Sequence, residues 1–235
     1  MTLHNNNIFK SSSNKDLECK YINQLCTQGT ICEKDPDNNI VKYFVSRNVF
    51  KWESFIYLKF VTLDIFPLTT SCNGKFVHYT SNMKSFRNIL KNAGKKYSYI
   101  FNELFSFLNN MKSLHFLHGN LHIDNIFVEK HPKLKFAVID FSNSFLLCSS
   151  KMTSPSYKRT SFMKEYESDV KWKYIVYWDF ITIYISIKLF MIKDITALTA
   201  LEIAIQTYVP KPILSECINF WLKEKNRQNL EKALQ

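Results

Sequence analysis

The chain has 235 residues, of which 46% are hydrophobic and 15% aromatic. That is room for one large domain or two small lobes around a shared cleft, and it excludes disorder along most of the length. A total of 4 Gly and 6 Pro argues against an all-β protein rich in tight turns.

The formal charge of +11 comes from 31 Lys and Arg against 20 Asp and Glu. The bases are scattered (Lys15, Lys42, Lys59, Lys95, Lys133, Lys158, Lys223) with no run of five, which reads as a solvated surface and gives no specific nucleic-acid signal. Cys19, Cys26, Cys32, Cys72, Cys148 and Cys217 form no C-x-x-C pair and match no zinc or disulfide framework. Free thiols in a reducing, intracellular compartment are expected.

Met1 to Lys15 is polar and lacks the apolar core of a signal peptide. Ile8-Phe9-Lys10 reads as a short strand, and Leu17, Tyr21, Ile22 and Leu25 have helical spacing behind a cap at Asp16. The turn Asp35-Pro36-Asp37-Asn38-Asn39 precedes a strand over 40–45. The run Phe55 to Val61 reads as a second strand, and Pro67 breaks the chain. Beyond Ser81 the pattern turns helical, over Met83 to Leu90 and Tyr97 to Leu117. Residues 136–141 form a short apolar strand ending in an acid, and 144–170 a Ser- and Lys-rich solvated excursion. Tyr174 to Ile192 is apolar enough for a membrane span. Asp179 and Lys188 would each cost about 2.5–3.5 kcal/mol in a bilayer centre, so a buried core helix is predicted. The expectation is an α+β fold of two lobes: a truncated β-rich lobe over 1–66 and a helical lobe over 67–235.

The chemistry concentrates in His118-Gly119-Asn120-Leu121-His122-Ile123-Asp124-Asn125, followed by a hairpin that ends in Val138-Ile139-Asp140-Phe141-Ser142. Mg²⁺ takes hard oxygen ligands, few of them from protein, and Asn125 with Asp140 would supply such a pair. A competing grouping of His115, His118, His122 and Asp124 as a zinc site is weaker, because a glycine and a loop separate the histidines.

This segment resembles the protein kinases and their relatives, including the aminoglycoside and choline kinases, whose pattern is His-x-Asp-x-x-x-x-Asn followed a hairpin later by Asp-Phe-Gly. His118, Asn125, Asp140 and Phe141 match position by position; Asn120 stands at the catalytic aspartate and Ser142 at the glycine. Asp179, in Tyr177-Trp178-Asp179-Phe180, matches the acid that holds the catalytic-loop backbone from a buried helix. The resemblance implies a two-lobed kinase-like fold over residues 8–225, with ATP and Mg²⁺ as cofactors and a protein Ser/Thr substrate or a protein partner. The ATP-contacting lysine and its helix acid are assigned to Lys10 and Glu18, and Asn125 and Asp140 are assigned to the metal. A glycine-rich phosphate lid is missing, since no two glycines lie near each other before residue 29. An amide at Asn120 cannot take a proton at neutral pH, so either slow phosphoryl transfer or a pseudokinase scaffold is expected. The motif wording and the Asn-, Lys- and Ile-rich composition point to a large DNA virus or an AT-rich parasite, hence to host cytoplasm or a virion.

Overall fold

The computed structural model describes residues 30–60, 62–72, 74–130, 133–146, 152–153, 175–219 and 222. The expected strand at Ile8-Phe9-Lys10, the helix over 17–25 and most of the excursion over 144–170 lie outside them. The fold is mixed α+β, with a sheet-rich N-terminal part and a helical C-terminal part.

The first part is a four-stranded antiparallel sheet in the order β1-β2-β4-β3, built from β1 (Thr30–Lys34), β2 (Ile40–Phe44), β3 (Leu68–Cys72) and β4 (Lys75–Tyr79). The turn between β1 and β2 is made by Asp35, whose Oδ1 accepts the backbone N–H groups of Asp37 (3.0 Å) and Asn39 (2.8 Å). Asn38 takes a φ of 62°, a conformation asparagine tolerates better than most residues. The sheet extends through Tyr79, past the expected division after residue 66.

Between β2 and β3 lies helix α1 (Arg47–Phe60), and this corrects the strand expected over 55–61. The aromatic and β-branched residues of Phe55 to Val61 masked the period, but Val49, Trp52, Glu53, Ile56 and Phe60 are the buried positions, spaced by three and four. Packing of that stripe on the sheet outweighs the local β preference. Phe50 and Tyr57 of α1 each meet Phe76 of β4 at ring-centroid distances of 5.2 Å.

The second part begins with β5 (Lys84–Ser85) and α2 (Phe86–Lys91), where Ser85 caps the helix by accepting the Asn88 N–H. After a single 3₁₀ turn, Gly94–Lys96, comes α3 (Tyr97–Ser113), which buries Ile100, Phe101, Leu104, Phe105, Leu108 and Met111. Two-residue strand β6 (Phe116–Leu117) leads to the His118 segment, and β7 (Ile126–Lys130) pairs with β8 (Leu134–Val138) in a hairpin. A 3₁₀ turn (Phe141–Asn143) then precedes β9 (Phe145–Leu146) and β10 (Met152–Thr153).

Helices α4 (Trp178–Phe190) and α5 (Ile195–Gln206) close the core. α4 is buried nearly all round, and its Phe180 stacks on Phe105 of α3 at 6.0 Å. Such burial is worth roughly 1.5–3 kcal/mol per large apolar side chain. It explains why the stretch is apolar, and no described helix is long and apolar enough to cross a membrane.

Candidate functional site

The site forms where the sheet, α1 and the two loops flanking the β7–β8 hairpin converge. Lys42 points from β2 onto the buried face of the sheet, beside Phe76 and His78 of β4. It is 1% exposed, so it is not one of the solvated surface bases that its place among scattered lysines implied. Its Nζ donates to Glu53 Oε1 of α1 and to Asp140 Oδ1, both at 2.5 Å. Burial alone would strip the proton from this amine, but the two carboxylates overcome that and hold its pKa above the ordinary lysine value.

The carboxylates differ. Glu53 is 0% exposed and burial pushes it up to about 7, against the pull of Lys42. Burial acts in the same direction on Asp140, but Lys42 and the Ser142 hydroxyl, which donates to Oδ1 at 2.6 Å, hold it well below the usual carboxylate range. Asp140 is therefore the acid that keeps its charge.

Asp140 also carries backbone strain, with φ and ψ both at 69° in the left-handed region, which a non-glycine residue adopts at a cost of order 1–3 kcal/mol. That conformation turns the chain out of β8, so that Phe141 goes inward while the carboxylate faces Lys42. Phe141 is 0% exposed and meets Tyr57 of α1 (5.3 Å), Phe66 (5.0 Å), Phe116 (5.6 Å) and the His118 imidazole (5.1 Å). This ring cluster joins α1 to the loop that carries Asn120.

That loop is held from beneath. Asp179, at the start of α4, accepts the N–H of His118 (2.7 Å) and of Gly119 (3.0 Å), while the Trp178 indole donates to the Gly119 carbonyl (3.1 Å). Burial raises the Asp179 pKa to about 6, and the two backbone donors act against that rise. Gly119 is required here: its φ is 79°, and a Cβ would overlap the carbonyl oxygen of Asn143. His118 lies within 2.8 Å of the Ile139 carbonyl through Nε2, which must donate because a carbonyl only accepts. Its Nδ1 is then the acceptor, 3.4 Å from the Asn120 N–H. Burial lowers this imidazole to about 4, so it is a neutral structural wedge.

Asn125 donates its Nδ2 to the Asn120 carbonyl at 3.1 Å, and its backbone carbonyl accepts the Ile139 N–H at 3.1 Å. These contacts place Asn120, Asn125 and Asp140 at the same open end of the β7–β8 hairpin. Among the described residues, the Asn125 Oδ1 and the second Asp140 oxygen accept no protein hydrogen bond, and these hard oxygens are a donor set that fits Mg²⁺. Asp124, next in sequence to Asn125, is engaged elsewhere: Arg87 of α2 grips it in a two-pronged pair at 2.7 and 2.8 Å. That pairing lowers the Asp124 pKa.

The sequence-expected residues Asn120, Asn125 and Asp140 are thus brought together. Lys10 and Glu18 lie outside the described residues, and the lysine–glutamate pair that the structure brings to Asp140 is Lys42–Glu53. The sequence reading misses both, because a strand over Phe55 to Val61 hides the helix that carries Glu53. The available signal was an acid on the apolar face of a 3.6-residue period, following a lysine inside an apolar strand. Among the described residues no three His, Cys, Asp or Glu side chains converge as a metal cluster. Compared with known proteins, the chain matches no protein-family model and no curated protein.

Proposed function

We propose that the chain is a kinase-like protein that binds ATP with Mg²⁺ at this site and transfers phosphate to protein Ser/Thr slowly, for want of a general base. The observation that carries the reading is Lys42 shared between Glu53 and Asp140. In protein kinases a strand lysine paired with a helix glutamate contacts the nucleotide phosphates, and the aspartate of Asp-Phe-Gly with the catalytic-loop asparagine holds the metal. On this reading β2 is the lysine strand and α1 the helix that carries its acid.

Bound Mg²⁺ supplies charge neutralisation for the phosphate oxygens. Asn125 and Asp140 are the residues to hold it, the Asp140 charge being kept available by its low pKa. Lys42, fixed as a cation, would exchange its contact with Asp140 for one with phosphate while Glu53 keeps it aimed. Asn120 can orient a substrate hydroxyl by hydrogen bonding but cannot accept its proton. General-base catalysis is worth about 10²–10⁴-fold, so its absence predicts a slow reaction.

A second reading, a pseudokinase that scaffolds a protein partner, is favoured by one specific observation. The nearest spare carboxylate, Asp124, is bound by Arg87 and therefore is not free to replace the missing base.

Thermal melts with ATP and Mg²⁺ test the shared core of both readings. Nucleotide at a hundredfold excess over its Kd should add about 2.7 kcal/mol of stability. The Asp140→Asn variant should fold and lose that gain. Stabilisation that needs no Mg²⁺, or that survives the substitution, would remove Asp140 as a metal ligand.

A further inference from the structure

At the far end of the β7–β8 hairpin from Asp140, the fold forms a second concave site. It is a cavity of about 370 Å³ between the end of α2, the start of α3 and the hairpin tip. Its floor is apolar: Ile89, Ala93 and Ile100 belong to the buried core, and Leu134 packs partly buried against them. Lys96, Lys130 and Lys133 stand on its rim, all exposed to solvent. Lys91, at the end of α2, and Lys95, in the 3₁₀ turn, are also exposed. No carboxylate lines the cavity, and among the described residues none of the three rim lysines has an ion-pair partner. The α2–α3 corner and the hairpin, distant in sequence, therefore converge on one apolar hollow ringed by uncompensated positive charge.

We propose that this hollow is a docking site for an acidic peptide segment of a partner protein, with an aliphatic side chain seated on the floor and flanking Asp or Glu residues paired with the rim lysines. The volume lies at the small end of the range for ligand pockets, which suits one or two aliphatic side chains. A nucleic-acid backbone needs a track of cations and gains nothing from an aliphatic floor, whereas an acidic peptide with a leucine uses both features. Lys130 and Leu134 close the hairpin whose other end carries Asn125 and Asp140, at roughly 3.3 Å of strand per residue. A partner held here would thus be tethered close to the candidate site. The proposal is independent of whether that site transfers phosphate.

The probe is a fluorescein-labelled peptide of sequence Glu-Asp-Glu-Leu-Glu-Leu-Asp-Glu, followed by anisotropy with the full chain. Saturable binding is expected, weakened at least tenfold when the two leucines become serine and at least tenfold by the triple variant Lys96→Glu, Lys130→Glu, Lys133→Glu. The equally charged control Lys51→Glu, Lys84→Glu, Lys211→Glu, at exposed lysines outside the cavity lining, should change binding less than threefold. Circular dichroism of both triple variants excludes unfolding as the cause. Absence of binding, equal weakening by both triple variants, or indifference to the leucines would each overturn the proposal. So would displacement of the peptide by an eight-nucleotide single strand at equal concentration, which would make the site a polyanion surface.

Discussion

Lys42 and Asp140 are 98 positions apart in the chain, and their side chains meet at 2.5 Å. Glu53 completes the contact from the other side, so one buried ammonium serves two carboxylates. Removing one member of a buried charged group leaves the others without compensation, at a cost of about 3–5 kcal/mol. Lys42→Met should lower the urea unfolding free energy by that amount at pH 8. The loss should be smaller at pH 5, because Glu53 is already pushed up to about 7 by burial and readily takes a proton there. Equal losses at the two pH values would mean that Glu53 does not carry the charge that Lys42 compensates.

Asp179 gives a pH dependence of determined sign. Its pKa rises from 3.8 to about 6 on folding, so between those values the folded state binds more protons than the unfolded state. Its contribution is fully present below pH 3.8 and is lost as pH rises toward about 6, with a total of about 3 kcal/mol. Asp179→Asn removes the titration while keeping an acceptor for one of the two loop N–H groups. Relative to this variant, the wild type should lose stability as pH is raised from 4 to 6.5 in chemical denaturation. A constant difference across that window would show that the two N–H donors fully offset the burial.

On the proposed kinase reading, a general base can be restored at Asn120. Asn120→Asp is nearly isosteric, and phosphoryl transfer to a Ser/Thr substrate should rise by a factor of about 10² or more. Asp124→Asn in the same background should change the rate less than twofold, since Arg87 already occupies both carboxylate oxygens. Its half-exposed ion pair should contribute only about 1 kcal/mol or less to stability. A wild-type rate equal to that of Asn120→Asp, abolished by Asp124→Asn, would assign the proton transfer to Asp124 instead.

Much of the candidate site was legible in the sequence because its parts are local. His118 to Asn125 is one short loop, Asp140 ends the hairpin that follows it, and the hairpin's own register brings Asn125 and Asp140 to one end. Asp179 stood out as an acid inside an apolar helix, and an acid there needs partners, which the loop N–H groups supply. These are arguments about single residues in single elements, where spacing and polarity carry the information.

What the sequence by itself determined, then, was a mixed α+β chain with a loop and hairpin built to present Asn120, Asn125 and Asp140. The tertiary structure decided which lysine and which glutamate complete the group. Lys42 looked like any surface base, and Glu53 sat between Trp52 and Ser54, just ahead of the run from Phe55 to Val61 that reads as a strand. Only the packing of α1 on the sheet buries both, and a buried ammonium must find carboxylates within hydrogen-bond reach or lose its charge. The same holds for Asp124, whose carboxylate is taken up by Arg87 of α2, 37 positions earlier in the chain. Pairings of charge across distant elements are fixed by desolvation in the folded core, and a linear sequence does not record which groups will be desolvated together.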